Sequence, residues 1–259
     1  MELTVLGSGT SVPHPRRSSP GFWLQTNGCT ILLDCSASSI HRMAQQDLDW
    51  PGLDAIWISH FHLDHCGGLA PFLFGMKHAP ATQDRTKPLR IVGSRGLKDL
   101  ITRFSDANNY NLLEQPFPLE ILEVESLEKF AILPHVEAVA YSTLHTEDSH
   151  ALHLREDDTT FVYTADTGFD ERLATFARRV DVLLMECSFV RNKPVEKHLE
   201  LAEAIHIIRR AEPRYAILTH FYPDWDDVSF DEEVRKLSPG AEVMQAFDGL
   251  RLKIPKTKN

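Results

Sequence analysis

The stretch Ser59-His60-Phe61-His62-Leu63-Asp64-His65-Cys66-Gly67-Gly68 constrains this chain more than any other. It sets three histidines and one carboxylate within six residues, directly after the apolar run Ala55-Ile56-Trp57-Ile58, which reads as a buried strand. Neutral imidazole and carboxylate suit zinc and similar divalent ions. A strand ending at Ser59 and a helix beginning near Asp64 would turn His60 and His62 one way and Asp64 and His65 another, giving two adjacent ligand pairs. Gly67 and Gly68 would let the backbone pass close to a metal or substrate. A histidine-rich surface loop is the bland alternative, and the order His-x-His-x-Asp-His after an apolar strand argues against it.

Three later segments also end a strand on a candidate ligand. Tyr141-Ser142-Thr143-Leu144-His145 ends on His145, with His150 and His153 as rivals that read better as face residues of the next strand. Phe161-Val162-Tyr163-Thr164-Ala165-Asp166-Thr167-Gly168 ends on Asp166, followed by a glycine that frees the backbone, although Asp-x-Gly is also common in plain turns. Tyr215-Ala216-Ile217-Leu218-Thr219-His220 ends on His220, where a core histidine is the alternative. Strand ends are where α/β sheets place their sites.

Taken in order, Leu3–Leu6 reads as a strand, followed by the turn Gly7-Ser8-Gly9-Thr10 and a Pro- and Arg-rich loop. That turn has no Gly-Lys-Ser/Thr and no helix after it, so a structural role is preferred to a phosphate cradle. Asn27-Gly28 predicts a hairpin between residues 21–26 and 29–33, closed by Asp34. Helices are expected near Ser38–Gln46, Leu69–Lys77 and from Gly96 to about Phe104, with Ala79–Lys87 as a surface loop or flap. Strands are expected at Leu89–Val92, Leu119–Val124, Phe130–Leu133 and Val136–Ser142. No 20–50-residue repeat and no linker composition interrupts the pattern. It predicts one α/β (α+β) domain over residues 1–259, with two sheets face to face and helices outside.

The central motif resembles the signature of metallo-β-lactamase-fold hydrolases, and the later segments resemble their ribonuclease Z-like branch. The resemblance covers nearly the whole chain and implies a four-layer αβ/βα sandwich. It implies that His60, His62 and His145 hold one divalent metal ion and that Asp64, His65 and His220 hold another. Asp166 would bridge the two, zinc being expected and manganese or iron allowed. Asp34 would support the metal-binding loop without being a ligand. His198, which precedes His220 by 22 residues, would be the general acid, oriented by Glu186; both are counted with Asp64 as catalytic. A surface histidine and a locally satisfied glutamate are the alternatives. A homodimer is plausible by the same resemblance.

Composition narrows the substrate. Twenty-seven basic against 37 acidic side chains leave a net charge of −10, which repels a polyanion and provides no basic footprint for nucleic acid. Two divalent ions and two aspartates nevertheless leave the site itself cationic, as an anionic phosphoester requires. Ribonuclease Z of the transfer-RNA-processing kind has a long gripping arm between the segments matching His145 and Asp166. Only 20 residues separate those positions here, enough for a hairpin. The family's His-Glu-Ala-Thr reads Met185-Glu186-Cys187-Ser188, and its His-Ser-Thr reads His198-Leu199-Glu200.

The expected activity is a dinuclear phosphodiesterase acting on a small or short phosphodiester through a metal-bridging hydroxide. An acyl hydrolase (lactonase, thioesterase or β-lactamase type), a transfer-RNA 3′-processing endoribonuclease and a non-catalytic metal-sensing module are the rivals. No apolar run approaches the roughly 18 residues of a membrane span, and the N-terminus enters a strand with no basic n-region or cleavage site. The four scattered cysteines read as reduced thiols, so a cytoplasmic setting is expected.

Overall fold

Alternation along the early strands decides the architecture. In β1 (Glu2–Gly7), β2 (Gly21–Gln25), β3 (Thr30–Leu33) and β4 (Ala55–Ile58), successive side chains face opposite ways. Leu3, Val5, Phe22, Leu24, Ile31, Leu33, Ala55 and Trp57 enter one apolar core, while Leu6, Trp23, Leu32, Ile56 and Ile58 enter another. A sheet buried on both faces needs a layer on each side.

The structure, a computed structural model, describes residues 1–254; residues 255–259 of the expected 1–259 domain lie outside the described residues. β5 (Leu89–Ser94) and β6 (Leu119–Val124) continue the first sheet. The second contains β7 (Lys129–Leu133), β8 (Val136–Ser142), β9 (His150–Glu156), β10 (Thr159–Tyr163), β11 (Val182–Glu186), β12 (Tyr215–Thr219) and β13 (Glu242–Gln245). β14 (Arg251–Lys253) returns to the first sheet beside β1. The orders are β14-β1-β2-β3-β4-β5-β6 and β13-β12-β11-β10-β9-β8-β7. In both, early strands pair antiparallel and later ones parallel. β4, β10 and β12, which each have a parallel neighbour, lead into His60, Asp166 and His220 at their C-terminal ends, and the antiparallel β8 leads into His145.

Helices cover the outer faces. α1 (Ala37–Gln45), α3 (Leu69–His78) and α4 (Leu97–Asp106) bury Met43, Leu69, Phe72, Leu73, Met76, Leu97 and Ile101 against the first sheet. Between α1 and α3 lies the single turn α2 (Leu63–Cys66). α5 (Arg172–Phe176), α6 (Leu201–Ala211) and α7 (Phe230–Lys236) bury Leu173, Ile205, Ile208, Phe230 and Val234 on the second half. The result is the expected four-layer αβ/βα sandwich. No helix among the described residues is long and apolar enough to cross a membrane.

Four local expectations change. Ala79–Lys87 is not a flap: the Arg85 guanidinium donates to the carbonyls of Pro51, Leu53 and Pro88, and Thr82 is fully buried. It also lies at the start of β4 and β5, the end opposite the candidate ligands. β8 stops at Ser142, so His145 sits in the following turn. The run Leu199–Arg210 reads in the sequence as a helix opened by His198, but α6 starts at Leu201 because Glu200 and Glu203 form a capping box there, which leaves His198 just outside the helix. Finally, Gly68 serves packing: an added Cβ would lie 2.3 Å from the Ser36 carbonyl oxygen.

Candidate metal centre

β4 ends one residue before Ser59, and the chain then turns into α2, so His60 and His62 leave the turn on one side and Asp64 and His65 on the other. The loop after β8 brings His145 up to the first pair. His62 Nδ1 lies 3.1 Å from His60 Nε2 and 3.0 Å from His145 Nε2. His65 Nε2 and His220 Nε2 lie 3.6 and 3.7 Å from Asp64 Oδ2. Asp166 Oδ2 stands between the groups, 3.4 Å from His65 Nε2, 3.3 Å from His220 Nε2, and 3.8 Å from both His60 Nε2 and His145 Nε2. All seven residues expected as ligands are therefore gathered.

The donor set fits divalent cations. The Nε2 atoms of His65 and His220 are buried with no hydrogen-bond partner, each an unmet group worth about 1–3 kcal/mol. Three imidazole nitrogens facing one another at about 3 Å cannot all be satisfied by shared protons. Donor atoms 3.0–3.1 Å apart in one group and 3.6–3.7 Å apart in the other could each converge on one divalent ion. Among the described residues, the sets His60-His62-His145 and Asp64-His65-His220 each bring their donors within 4.8 Å of one another. The site is therefore suited to divalent metal.

A second layer of contacts aims these candidate ligands. Asp34 is fully buried at φ +60 and receives four donors: the Ser59 amide (2.8 Å), the Ser59 hydroxyl (2.9 Å), His65 Nδ1 (2.7 Å) and the Tyr163 hydroxyl (2.6 Å). This leaves His65 presenting Nε2 to the cluster. His220 Nδ1 meets the Ser188 hydroxyl at 2.9 Å, and that hydroxyl donates to Glu186 Oε2 at 2.7 Å. His145 Nδ1 donates to the Lys197 carbonyl at 2.9 Å. Glu186 Oε1 accepts from His198 Nδ1 at 2.9 Å and from the Thr167 amide at 2.7 Å, beside Asp166. Glu186 and His198 thus meet as expected, and His198 Nε2 has no hydrogen-bond partner among the described residues.

Electrostatics follow from this crowding. Burial and the neighbouring His65 lower His60 well below the ordinary imidazole value. Burial would raise the Asp166 carboxyl, but His220 and His65 hold it well below its usual range. Burial would lower His198, yet the Glu186 carboxylate outweighs it and pushes the imidazole up to about 9. Cations bound alongside would draw that value back down. Burial and then the Asp166, Asp64 and Glu186 carboxylates push the Tyr222 phenol up.

Sequence reasoning missed several residues here. The Asp148 carboxylate accepts the Phe61 amide at 2.7 Å, between His60 and His62, and the His150 amide donates to the Ser59 carbonyl at 2.9 Å. These bonds tie the His145 loop to the central motif. Tyr163 and Ser188 were likewise invisible as partners; their only signal was a polar group in or beside a buried strand. Gly168 matters for closeness rather than freedom, since an added Cβ would lie 2.3 Å from the Glu196 carbonyl oxygen. The Gly7–Thr10 turn is structural: the Ser8 amide and hydroxyl both donate to Asp248, at 2.9 Å each. His150 and His153 join none of the ligand sets among the described residues.

Comparison with known proteins agrees with this geometry. A ribonuclease Z of Ignicoccus hospitalis is 25% identical, covering 92% of this chain and 93% of its own. The probable metallo-hydrolase YhfI of Bacillus subtilis is 23% identical, covering 85% and 86%. The crystal structure of YhfI, described as a metallo-beta-lactamase fold protein, has a TM-score of 0.80 at 21% identity, covering 97% of this chain and 98% of that one. Human tRNase Z, short form, has a TM-score of 0.77 at 19% identity, covering 98% and 100%. These similarities identify the sandwich as the metallo-β-lactamase fold and bear out the ribonuclease Z-like branch read from the motifs. The sequence profile for the family described as Anti-Pycsar protein Apyc1 matches residues 1–238, and the chain belongs to that family.

Proposed function

We propose that this metal-dependent hydrolase is a phosphodiesterase that holds two divalent cations, zinc foremost, and acts on small or short phosphodiesters. His60, His62 and His145 would hold one ion, Asp64, His65 and His220 the other, and Asp166 both. When bound, such a pair supplies positive charge to phosphoryl oxygens and acidifies a water molecule. The observation that carries the reading is the His198–Glu186 contact of 2.9 Å beside the ligand set. Glu186 takes Nδ1–H, so His198 offers a proton from Nε2, and the Glu186 carboxylate favours the protonated ring against the pull of the cations. A departing alkoxide needs such a donor, whereas a departing thiolate does not.

The hairpin β9–β10 occupies the place of a gripping arm, and the net charge of −10 opposes a polyanion; both favour a small substrate. The alternative of transfer-RNA processing rests on the ribonuclease Z relatives alone. For a homodimer, the exposed Phe74 and Tyr110 rings, 6.0 Å apart, provide an apolar surface. Four unpaired cysteines accord with a reducing, cytoplasmic setting.

The test is a substrate panel on metal-loaded and chelator-treated protein: bis-p-nitrophenyl phosphate, short linear and cyclic diesters, lactones, thioesters and a transfer-RNA precursor. Chelator-sensitive turnover of the small diesters is expected. Turnover confined to lactones or thioesters would overturn the reading in favour of acyl chemistry.

A further inference from the structure

Two residues beyond His220, the chain places an aromatic side chain that the chemistry above does not use. His220 adopts a left-handed backbone at φ +62, so the strand direction breaks there. Phe221 turns inward and is 1% exposed, against Trp225 and Phe230 at centroid distances of 5.1 and 6.1 Å. Tyr222 turns the other way. Its amide donates to the Ser188 carbonyl at 3.1 Å, which pins it to the segment that follows Glu186.

Its ring stands at the mouth of the metal centre. It stacks on Phe189 with centroids 4.6 Å apart and an interplanar angle of 23°. It lies edge-on to His198 at 6.2 Å and to His220 at 6.5 Å. The half-buried phenol is thus held on three sides by Phe189, the candidate acid and a candidate ligand. Its hydroxyl has no hydrogen-bond partner among the described residues, although the neighbouring Ser188 and Glu186 are engaged with His220, His198 and the Thr167 amide. A rigidly backed donor left open beside His198 is what an anionic substrate would meet first.

We propose that Tyr222 is a substrate-contacting residue whose hydroxyl donates a hydrogen bond to a phosphoryl oxygen on the His198 side of the site. The ring, backed by Phe189, forms the wall along which the leaving group lies. The assignment rests on the phosphodiesterase reading and adds to it a residue that touches substrate without binding metal. A phenol donating to an anionic oxygen supports a change of roughly 10- to 100-fold in kcat/KM.

The test compares wild type with Tyr222→Phe and Tyr222→Ala, all metal-replete. Calorimetry reads cation affinity and the binding of inorganic phosphate, thermal unfolding reads stability, and steady-state kinetics use bis-p-nitrophenyl phosphate. The expected result for Tyr222→Phe is unchanged cation affinity and unfolding temperature, weaker phosphate binding and a roughly 10-fold or greater fall in kcat/KM. Tyr222→Ala should lose more, and more on diesters with an aryl leaving group than on those with an alkyl one. Phosphate binding and turnover of Tyr222→Phe equal to wild type overturn the proposal, as does a loss of cations that explains the whole kinetic change. If wild type turns over lactones and no diester, the phosphodiesterase reading fails while the phosphate arm still decides whether Tyr222 contacts an anion. If wild type neither binds phosphate nor cleaves diesters, both fall.

Discussion

The Tyr163 hydroxyl, carried by the second sheet, lies 2.6 Å from Asp34 Oδ2 at the end of a strand in the first. The same oxygen receives His65 Nδ1 at 2.7 Å, so one contact across the sandwich helps aim a ligand in the other half. Tyr163→Phe removes one donor from a buried carboxylate and leaves three. It should lower unfolding free energy by about 1–2 kcal/mol and weaken binding of the cation held through His65 by about tenfold. Urea unfolding and calorimetric titration of the metal-free protein read the two effects separately.

The Asp166 carboxylate reaches both donor sets, lying within 3.8 Å of Nε2 of His60 and His145 and within 3.4 Å of Nε2 of His65 and His220. Asp166→Asn keeps its shape and removes its charge. The variant should retain at most one tightly held cation per chain and lose diester turnover by several orders of magnitude. Metal analysis after gel filtration checks this, and two retained equivalents would remove Asp166 from its bridging place.

His198→Ala should leave cation content unchanged, because Glu186 holds Nδ1 at 2.9 Å; a loss of cation would instead make His198 a ligand, in one of the two donor groups it could join with His145 and Asp166 or with Glu186 and His220. The rate should fall by about a hundred- to ten-thousand-fold on an alkyl diester, and much less on a p-nitrophenyl diester, whose leaving group departs without a proton. A plot of log kcat against leaving-group pKa is expected to steepen in the variant. An unchanged slope would assign the histidine a role other than the acid.

Away from the centre, Asp226 gathers His14, Arg16 and Arg17 around one carboxylate. Burial acts in the opposite direction, but these partners hold Asp226 below its ordinary value of 3.8. A depressed carboxylate stabilises the fold above the unfolded-state value, and that contribution disappears as pH falls through the folded-state value. Asp226→Asn should therefore be less stable than wild type at neutral pH, with the gap closing below pH 3.8. Melting temperatures measured from pH 7 to pH 2.5 would show the convergence, or its absence.

How much of this was readable in the chain depends on distance along it. His60, His62, Asp64 and His65 share one turn, so their spacing alone announces a metal centre. His145, Asp166 and His220 could be found because each follows an apolar run that predicts a strand, and strand ends face the site. Asp148, Tyr163 and Ser188 could not. Their importance lies in the atom they meet across the fold, and nothing local marks a Tyr inside a strand as the partner of an Asp 129 residues away. Backbone shape was equally hidden. Asp34, Ala165 and His220 all take left-handed conformations without being glycine, and such strain gathers where tertiary contacts over-determine the chain. The Ala79–Lys87 loop misled for the opposite reason: its polar composition suggested mobility, while Arg85 ties it down through backbone carbonyls that composition cannot reveal.

The exposed turn joining β6 to β7, with Leu127 at its tip, divides each set of candidate ligands along the chain. Everything before it contributes His60, His62, Asp64 and His65; everything after it contributes His145, Asp166 and His220. A protease nick at that turn would yield two pieces, neither with enough donors for a complete pair of ions. Their reunion would be driven by the apolar core that both sheets share, and divalent cations would strengthen it by drawing the two sets of candidate ligands together.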